Sequence, residues 1–341
     1  MTEFLLQLDQ VSAGYVQRGK SQQVIVKPFT EGVPAGKLVC LIGPNGAGKS
    51  TLLRTIAGMQ APLSGRVLLD GQDIYQMNPA DRAKRLSVVL TQKMEVGLFT
   101  GYSLVAMGRH PYTAWSGQLR EQDHQVVRQA IRMVGAENLA DRAFSTMSDG
   151  ERQKIMIARA LAQEPDMLIL DEPTAFLDLP RRVECMVLLR NLAHQMGRTI
   201  LLSTHDLDLA LRCADHIWLL PYSGHMRVGL PEDLVLNGAF EAAFHSANVA
   251  FDIETGAFKT QSVGHERIAL EGEGIQYTWV RHALEREGYA VLSKRAAGIP
   301  IIRLGVHGTD TWQLTIGTET CHGETIDALM TALVQGRVPA L

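Results

Sequence analysis

The chain has 341 residues, 46% of them hydrophobic and 20% charged, with a formal net charge of −3 at pH 7. That balance supports a large globular core plus a smaller second unit, and the lack of basic excess argues against a nucleic-acid-binding surface. No apolar run approaches the ~18 residues that a membrane span needs, Met1-Thr2-Glu3-Phe4 shows no secretory signal, and Cys40, Cys185, Cys213 and Cys321 are scattered like buried thiols of a reducing compartment.

Residues 4–35 read as short strands with turns, Tyr15 following Gly14. Residues 38–42 are a continuous apolar run, the mark of a buried parallel strand. Gly43, Pro44, Asn45, Gly46, Ala47, Gly48, Lys49 and Ser50 then fit G-x-x-x-x-G-K-[ST] at every fixed position. Residues 50–57 carry helical periodicity and stop at Gly58. Strand, glycine-rich loop and helix is the order that phosphate binding requires. Residues without a Cβ let the backbone wrap an anion, and its N–H groups and the helix dipole then face the phosphates. Lys49 reaches the β- and γ-phosphates, the Ser50 hydroxyl holds Mg²⁺, and Thr51 adds a further hydroxyl.

Residues 65–70 and 86–91 are β-like, and Gln92 follows the second stretch. Between 100 and 165 helices take over, at 123–134 with Gly135 as a stop and at 151–163 with Pro165 beyond it. Ser148 and Glu151 have capping-box spacing. A helix start with Gly150 in it also suits a phosphate, and the spacing alone does not choose between the two. Residues 167–170 form a second buried strand that ends in Asp171 and Glu172. At such a strand end one carboxylate holds Mg²⁺ and its neighbour orients the attacking water; Asp171 suits the first role, and Glu172 the second, as general base. A helix at about 180–196 precedes Gly197, and residues 200–204 form a third buried strand ending at His205. His205 falls at the carboxyl end of the inferred parallel sheet, where ligands bind, which favours a γ-phosphate contact.

Residues 266–341 look separate. Strands at 268–270 and 289–292 flank a helix at 274–287, residues 299–304 and 311–316 alternate like strands, and 324–334 is a last helix. Ile275, Trp279 and Ala283 predict the buried face of the first of these helices, with Trp312, Leu314 and Ile316 lining the same core. Gly272-x-Gly274 lacks the third glycine of a dinucleotide fingerprint, so a plain strand–turn–helix junction is expected there.

Taken together, these residues resemble the nucleotide-binding subunit of ABC transporters, over about residues 3–255. Gly43 to Ser50 is similar to Walker A, Met167 to Asp171 with Glu172 to Walker B, Gln92 to the Q-loop, and Ala175-Phe176-Leu177-Asp178 to the D-loop. His205 resembles the switch histidine and Tyr15 the aromatic that stacks on adenine. Met147-Ser148-Asp149-Gly150-Glu151 resembles the signature Leu-Ser-Gly-Gly-Gln, departing at Met147, Asp149 and Glu151 and keeping Ser148 and Gly150. The resemblance implies an α/β P-loop NTPase with an N-terminal antiparallel β subdomain and an inserted helical subdomain at about 93–165. A cassette at 1–262 and a small C-terminal α+β accessory domain at 263–341 are the expected units.

It further implies ATP and Mg²⁺ as ligands, the latter held by Ser50, Asp171 and Gln92, and a head-to-tail homodimer. Each ATP then lies between the loop of one copy and Ser148 and Gly150 of the other, with Asp178 at the seam. Met107-Gly108-Arg109-His110-Pro111-Tyr112 resembles the Gly-Arg-x-Pro stretch of importers for ferric siderophores, haem and cobalamin, although an ordinary polar turn reads the same way. The expected protein is an importer ATPase at the cytoplasmic face of the membrane. It works with two membrane permease subunits and a substrate-binding protein, and with no nucleic acid. A soluble single-cassette assembly factor and an exporter ATPase are the alternatives.

Overall fold

A computed structural model describes residues 4–16, 22–91, 99–113, 117–244, 249–253, 256–260, 266–293, 298–305 and 311–335. It separates into two compact units, one of 1–245 with 251–257 and one of 246–250 with 258–341.

The first unit opens with two long antiparallel strands, β1 (Phe4–Val16) and β2 (Gln22–Pro34), joined in one sheet by β4 (Ser64–Leu69) and β5 (Gln72–Asp73) in the order β2-β1-β4-β5. Short strands were expected here. The pairing of β1 with β2 is interrupted by register shifts, for example between Leu8 and Val11. Such bulges break the two-residue alternation and make one long strand read as several.

The second sheet is built from β3 (Leu38–Ile42), β6 (Leu86–Val89), β7 (Met167–Asp171), β8 (Thr199–Ser203), β9 (His216–Leu219) and β10 (Arg227–Gly229), in the order β10-β9-β3-β8-β7-β6. All pairs are parallel except the edge pair β10–β9. Every residue of β3, β7 and β8 is buried, as the apolar runs required. Alternate side chains serve different interiors. Leu38, Cys40 and Ile42 pack with the helices, while Val39 and Leu41 pack with the antiparallel sheet. Burial pushes the Cys40 thiol up, and that of Cys185 up to about 12, so neither is a nucleophile near neutral pH.

The helices of this unit are α1 (Lys49–Ile56), α2 (Pro79–Arg85), α3 (Gly101–Ala106), α4 (Glu121–Met133), α5 (Asp149–Leu161), α6 (Leu179–Met196), α7 (Leu207–Cys213), α8 (Pro231–Leu236) and α9 (Ala239–Phe244). Helices α3, α4 and α5 pack on one another as a helical insert. Its 3₁₀ turn, Met107–Tyr112, holds the Gly-Arg-x-Pro stretch. Arg109 is 5% exposed there. Its Nε donates to Asp123 Oδ1 at 2.9 Å, its Nη1 to the Ala162 carbonyl at 2.9 Å and to Glu164 Oε2 at 2.6 Å, and the guanidinium lies 3.9 Å from the Tyr112 ring centre. A Cβ at Gly108 would stand 2.2 Å from the Arg159 carbonyl oxygen. Within the stretch, Gly108 and Arg109 form a buried clamp.

Strands β11 (Val249–Asp252) and β12 (Ala257–Thr260) carry the chain onward. The second unit contains β13 (Glu266–Glu271), α10 (Gly274–Arg286), β14 (Tyr289–Leu292), β15 (Ile301–Leu304), β16 (Trp312–Ile316), β17 (Glu319–Gly323) and α11 (Ile326–Gln335). The sheet order is β14-β13-β15-β16-β17, parallel around β13 and antiparallel beyond β15. Ile268, Leu270, Trp312, Leu314, Leu329 and Leu333 belong to its own core. Trp312 and Leu314 are where the alternation placed them. The predicted face of α10 is a correction: Ile275 is 80% and Trp279 59% exposed, and only Ala283 of the three is buried. Val280 and Leu284, one i,i+4 pair further round the helix, face the sheet instead.

Candidate nucleotide-binding site

Parallel register brings three strand ends level. Ser203, at the end of β8, stands opposite Leu41 of β3 on one side and Asp171 of β7 on the other. The segments that follow these strands therefore share one edge of the sheet.

The first is the glycine loop. Gly48, the residue before α1, has φ +106°, a left-handed backbone that excludes a side chain without strain, and a Cβ there would also collide with Ile25 Cγ2 at 2.3 Å. At Gly43 a Cβ would meet the Leu220 carbonyl oxygen at 2.1 Å. The loop is thus shaped by its neighbours as well as by its own sequence. The Tyr222 hydroxyl donates to the Asn45 carbonyl at 3.0 Å. Ala47 is buried. Lys49 is folded into the loop, donating to the Gly43 and Pro44 carbonyls at 2.8 and 3.2 Å. Burial lowers its pKa, against an upward pull from Glu172 and Asp171. Tyr15 stands beside the loop, 43% exposed, with its hydroxyl 2.9 Å from Thr51 Oγ1.

The second segment carries the acids. Asp171 Oδ1 accepts from Ser50 Oγ at 3.1 Å and from Ser203 Oγ at 2.7 Å. The same Ser203 oxygen accepts the Glu172 N–H at 2.9 Å, and the Thr91 hydroxyl donates to the Asp171 carbonyl at 2.5 Å. Glu172 itself has φ +48°, a left-handed backbone in a residue with a side chain. Such a conformation costs roughly 1–3 kcal/mol and persists where the surroundings over-determine it. Its Oε2 lies 3.6 Å from His205 Nδ1, the group after β8.

Sequence reasoning missed Ser203 and Thr91. The signal for Ser203 was a hydroxyl ending the apolar run of residues 200–202, and it is 0% exposed. Such a group has to find a buried partner.

Tyr15, Lys49, Ser50, Thr51, Asp171, Glu172 and His205 are thus brought to one end of the sheet. Ser148 and Gly150 stand at the start of α5. There Ser148 Oγ accepts the Glu151 N–H at 3.3 Å, and Glu151 Oε2 accepts the Ser148 N–H at 2.8 Å, a complete capping box. Those bonds hold the Glu151 carboxyl below its ordinary pKa, the Ser148 N–H being the largest cause. Asp178 caps α6, its carboxylate accepting the Arg181 N–H at 3.0 Å. Gln92 lies outside the described residues.

A glycine loop with an inward lysine, a hydroxyl on a carboxylate and a second acid beside a histidine are the parts of a phosphate-loop ATPase. Two family patterns match the chain, "ABC transporter" over residues 26–175 and "Iron ABC transporter C-terminal domain" over 265–334. An ABC transporter ATP-binding protein of Methanocaldococcus jannaschii is 42% identical over 76% of this chain and 87% of its own length. The achromobactin transport ATP-binding protein of Dickeya dadantii is 39% identical over 67% and 84%. The iron(3+)-hydroxamate import ATP-binding protein of Bacillus subtilis is 38% identical over 62% and 77%. Among solved structures, a dimeric bacterial ABC transporter cassette superposes with a TM-score of 0.58 at 26% identity, over 66% of this chain and 98% of that one. The chain belongs to the ATP-binding subunits of ABC transporters, and it is an ATPase.

Proposed function

We propose that this subunit drives import of an iron chelate, with ferric siderophores as the substrate class. The observation that carries the chemistry is the chain of contacts Ser50–Asp171–Ser203–Glu172–His205 at the lip of the glycine loop. The direction and cargo are supported by relatives named for achromobactin transport and ferric hydroxamate import, and by the iron-type C-terminal pattern. Export and assembly-factor readings have no such support.

In this reading the loop amides and Lys49 take the phosphates, exchanging two carbonyl contacts of the lysine for anionic oxygens. The Tyr15 ring offers adenine a flat surface. Ser50 and Asp171 fit a small hard cation, because a hydroxyl and a carboxylate oxygen already converge at 3.1 Å. Mg²⁺ bound there neutralises charge on the phosphate oxygens, and Gln92 completes the set by resemblance. Glu172 accepts the proton of the attacking water, and His205 at its side meets the γ-phosphate. A second copy of the chain closes the site with Ser148 and Gly150, its Asp178 helix start lying at the seam. Among the described residues no helix is long and apolar enough to cross a membrane. The reading places the subunit on the cytoplasmic face, against two permease subunits that receive cargo from a binding protein. Residues 263–341 serve as an accessory domain.

The test is reconstitution of the subunit with its permease and binding protein in vesicles. ATP-dependent accumulation of a ferric siderophore is expected, with stimulated ATP hydrolysis. Hydrolysis that no iron chelate stimulates, together with no accumulation, would overturn the substrate class.

Ser203→Ala tests the site itself. Asp171 loses a hydrogen bond to a charged oxygen and the Glu172 backbone loses its acceptor, an effect of roughly 1.5–3 kcal/mol. About a tenfold to hundredfold lower kcat is expected, with ATP still bound. Unchanged kcat would show that Ser203 does not position the acids.

A further inference from the structure

Helix α5 begins with two carboxylates, Asp149 and Glu151, where the family signature that it resembles has neutral glycine and glutamine. A helix start attracts anions through roughly half a positive charge. Two acids outweigh that charge and repel a polyphosphate. The structure supplies an arginine for each. Arg142 reaches Glu151 through Nη1–Oε1 at 2.7 Å and Nη2–Oε2 at 3.5 Å, and Arg152 Nη1 lies 3.6 Å from Asp149 Oδ1.

Both guanidiniums are tied to the carbonyls of the turn just before the helix. Arg142 Nη2 donates to Thr146 at 3.2 Å. Arg152 donates through Nη2 to Ser145 at 2.8 Å and through Nε to Phe144 at 3.2 Å, with its charge 5.6 Å from the Phe144 ring centre. These anchors separate the two pairs from ordinary mobile surface ion pairs, which contribute little. Asp149 and Arg152 also face the chain's own cleft, beside Thr91, Asp171 and Glu172.

We propose that Arg142 and Arg152 are charge screens that cancel Glu151 and Asp149, so that the start of α5 can receive the triphosphate of an ATP held by a second copy of the chain. The inference rests on the composite-site reading above. Removing a screen leaves a bare carboxylate facing an anion, an effect that salt weakens. Arg142 and Arg152 are positioning residues here, acting through the field at the helix start.

The experiment uses the full chain carrying Glu172→Gln to hold ATP uncleaved, and reads the Mg-ATP concentration that gives half-maximal dimer by light scattering. Adding Arg152→Gln is expected to raise that concentration about fivefold at low salt, and less at high salt. Adding Asp149→Asn as well should return it to the parent value. Arg142→Gln with Glu151→Gln is the second pair and should behave alike. No shift in either arginine variant, or a shift that the matching acid substitution fails to reverse, would overturn the screening. Failure of the parent to dimerise with ATP would instead remove the composite site, and the screening with it.

Discussion

Replacing Glu172 with glutamine is expected to leave ATP bound and lower kcat by about 10²–10⁴-fold, the usual contribution of a general base. The amide has the size and shape of the carboxylate and cannot take up the proton of the attacking water. The fold has little reason to change. The Glu172 N–H stays on Ser203 Oγ at 2.9 Å, and the φ of +48° is set by that bond and its surroundings. The neighbouring histidine makes the result diagnostic. His205 Nδ1 stands only 3.6 Å from Glu172 Oε2, and it would be the substitute base if Glu172 were not the acceptor. Phosphate release should be compared with nucleotide retained on the protein. Turnover within tenfold of the parent would move the role away from Glu172.

Arg109→Ala is expected to cost about 3–5 kcal/mol of stability, the penalty for leaving one member of a buried pair alone. Asp123, 6% exposed, would keep its carboxylate and lose its counter-ion, and the Ala162 carbonyl would lose its donor. Arg109→Lys should recover little, because one ammonium cannot serve Nε and Nη1 partners in different directions and stack on Tyr112 as well. The urea midpoint measures the loss, and a midpoint within experimental error of the parent would refute the clamp. Acid should act on the same element. The Asp123 carboxyl is held below its ordinary pKa of 3.8 by the Arg120 N–H first and, against the cost of burial, by Arg109. A depressed carboxylate contributes stability that is present above the unfolded pKa and lost as pH falls through the folded one.

What could be read from the residues follows from where each signal originates. The glycine loop and the runs at β3, β7 and β8 were legible because their constraint is local. A loop that wraps an anion needs glycine at fixed spacing, and a strand buried on both faces favours a run of apolar side chains. The pairing of Glu172 with His205 was legible as a shared sheet edge, since parallel strands put their carboxyl ends together. The bridge through Ser203 was not, because its meaning depends on β7 being the neighbour of β8. Arg109 was legible as part of a motif, while its role came only with Asp123, Ala162 and Glu164 around it. Helix α10 misled for a plain reason. Ile275 and Trp279 are spaced as one stripe, Val280 and Leu284 as another, and the sheet beneath decides which of the two is covered.

The sharing of β3, β7 and β8 between two interiors has a consequence for how the molecule comes apart. Each of these strands is a common wall, with alternate residues committed to opposite rooms, so a strand cannot loosen on one side and stay seated on the other. Both interiors of the first unit must be lost in one cooperative step, and with them the level strand ends that carry Asp171 and Ser203. In the second unit, Trp312, Leu314 and their neighbours close a room of that unit. A nucleotide gripped at the strand ends therefore braces both rooms of the first unit at once.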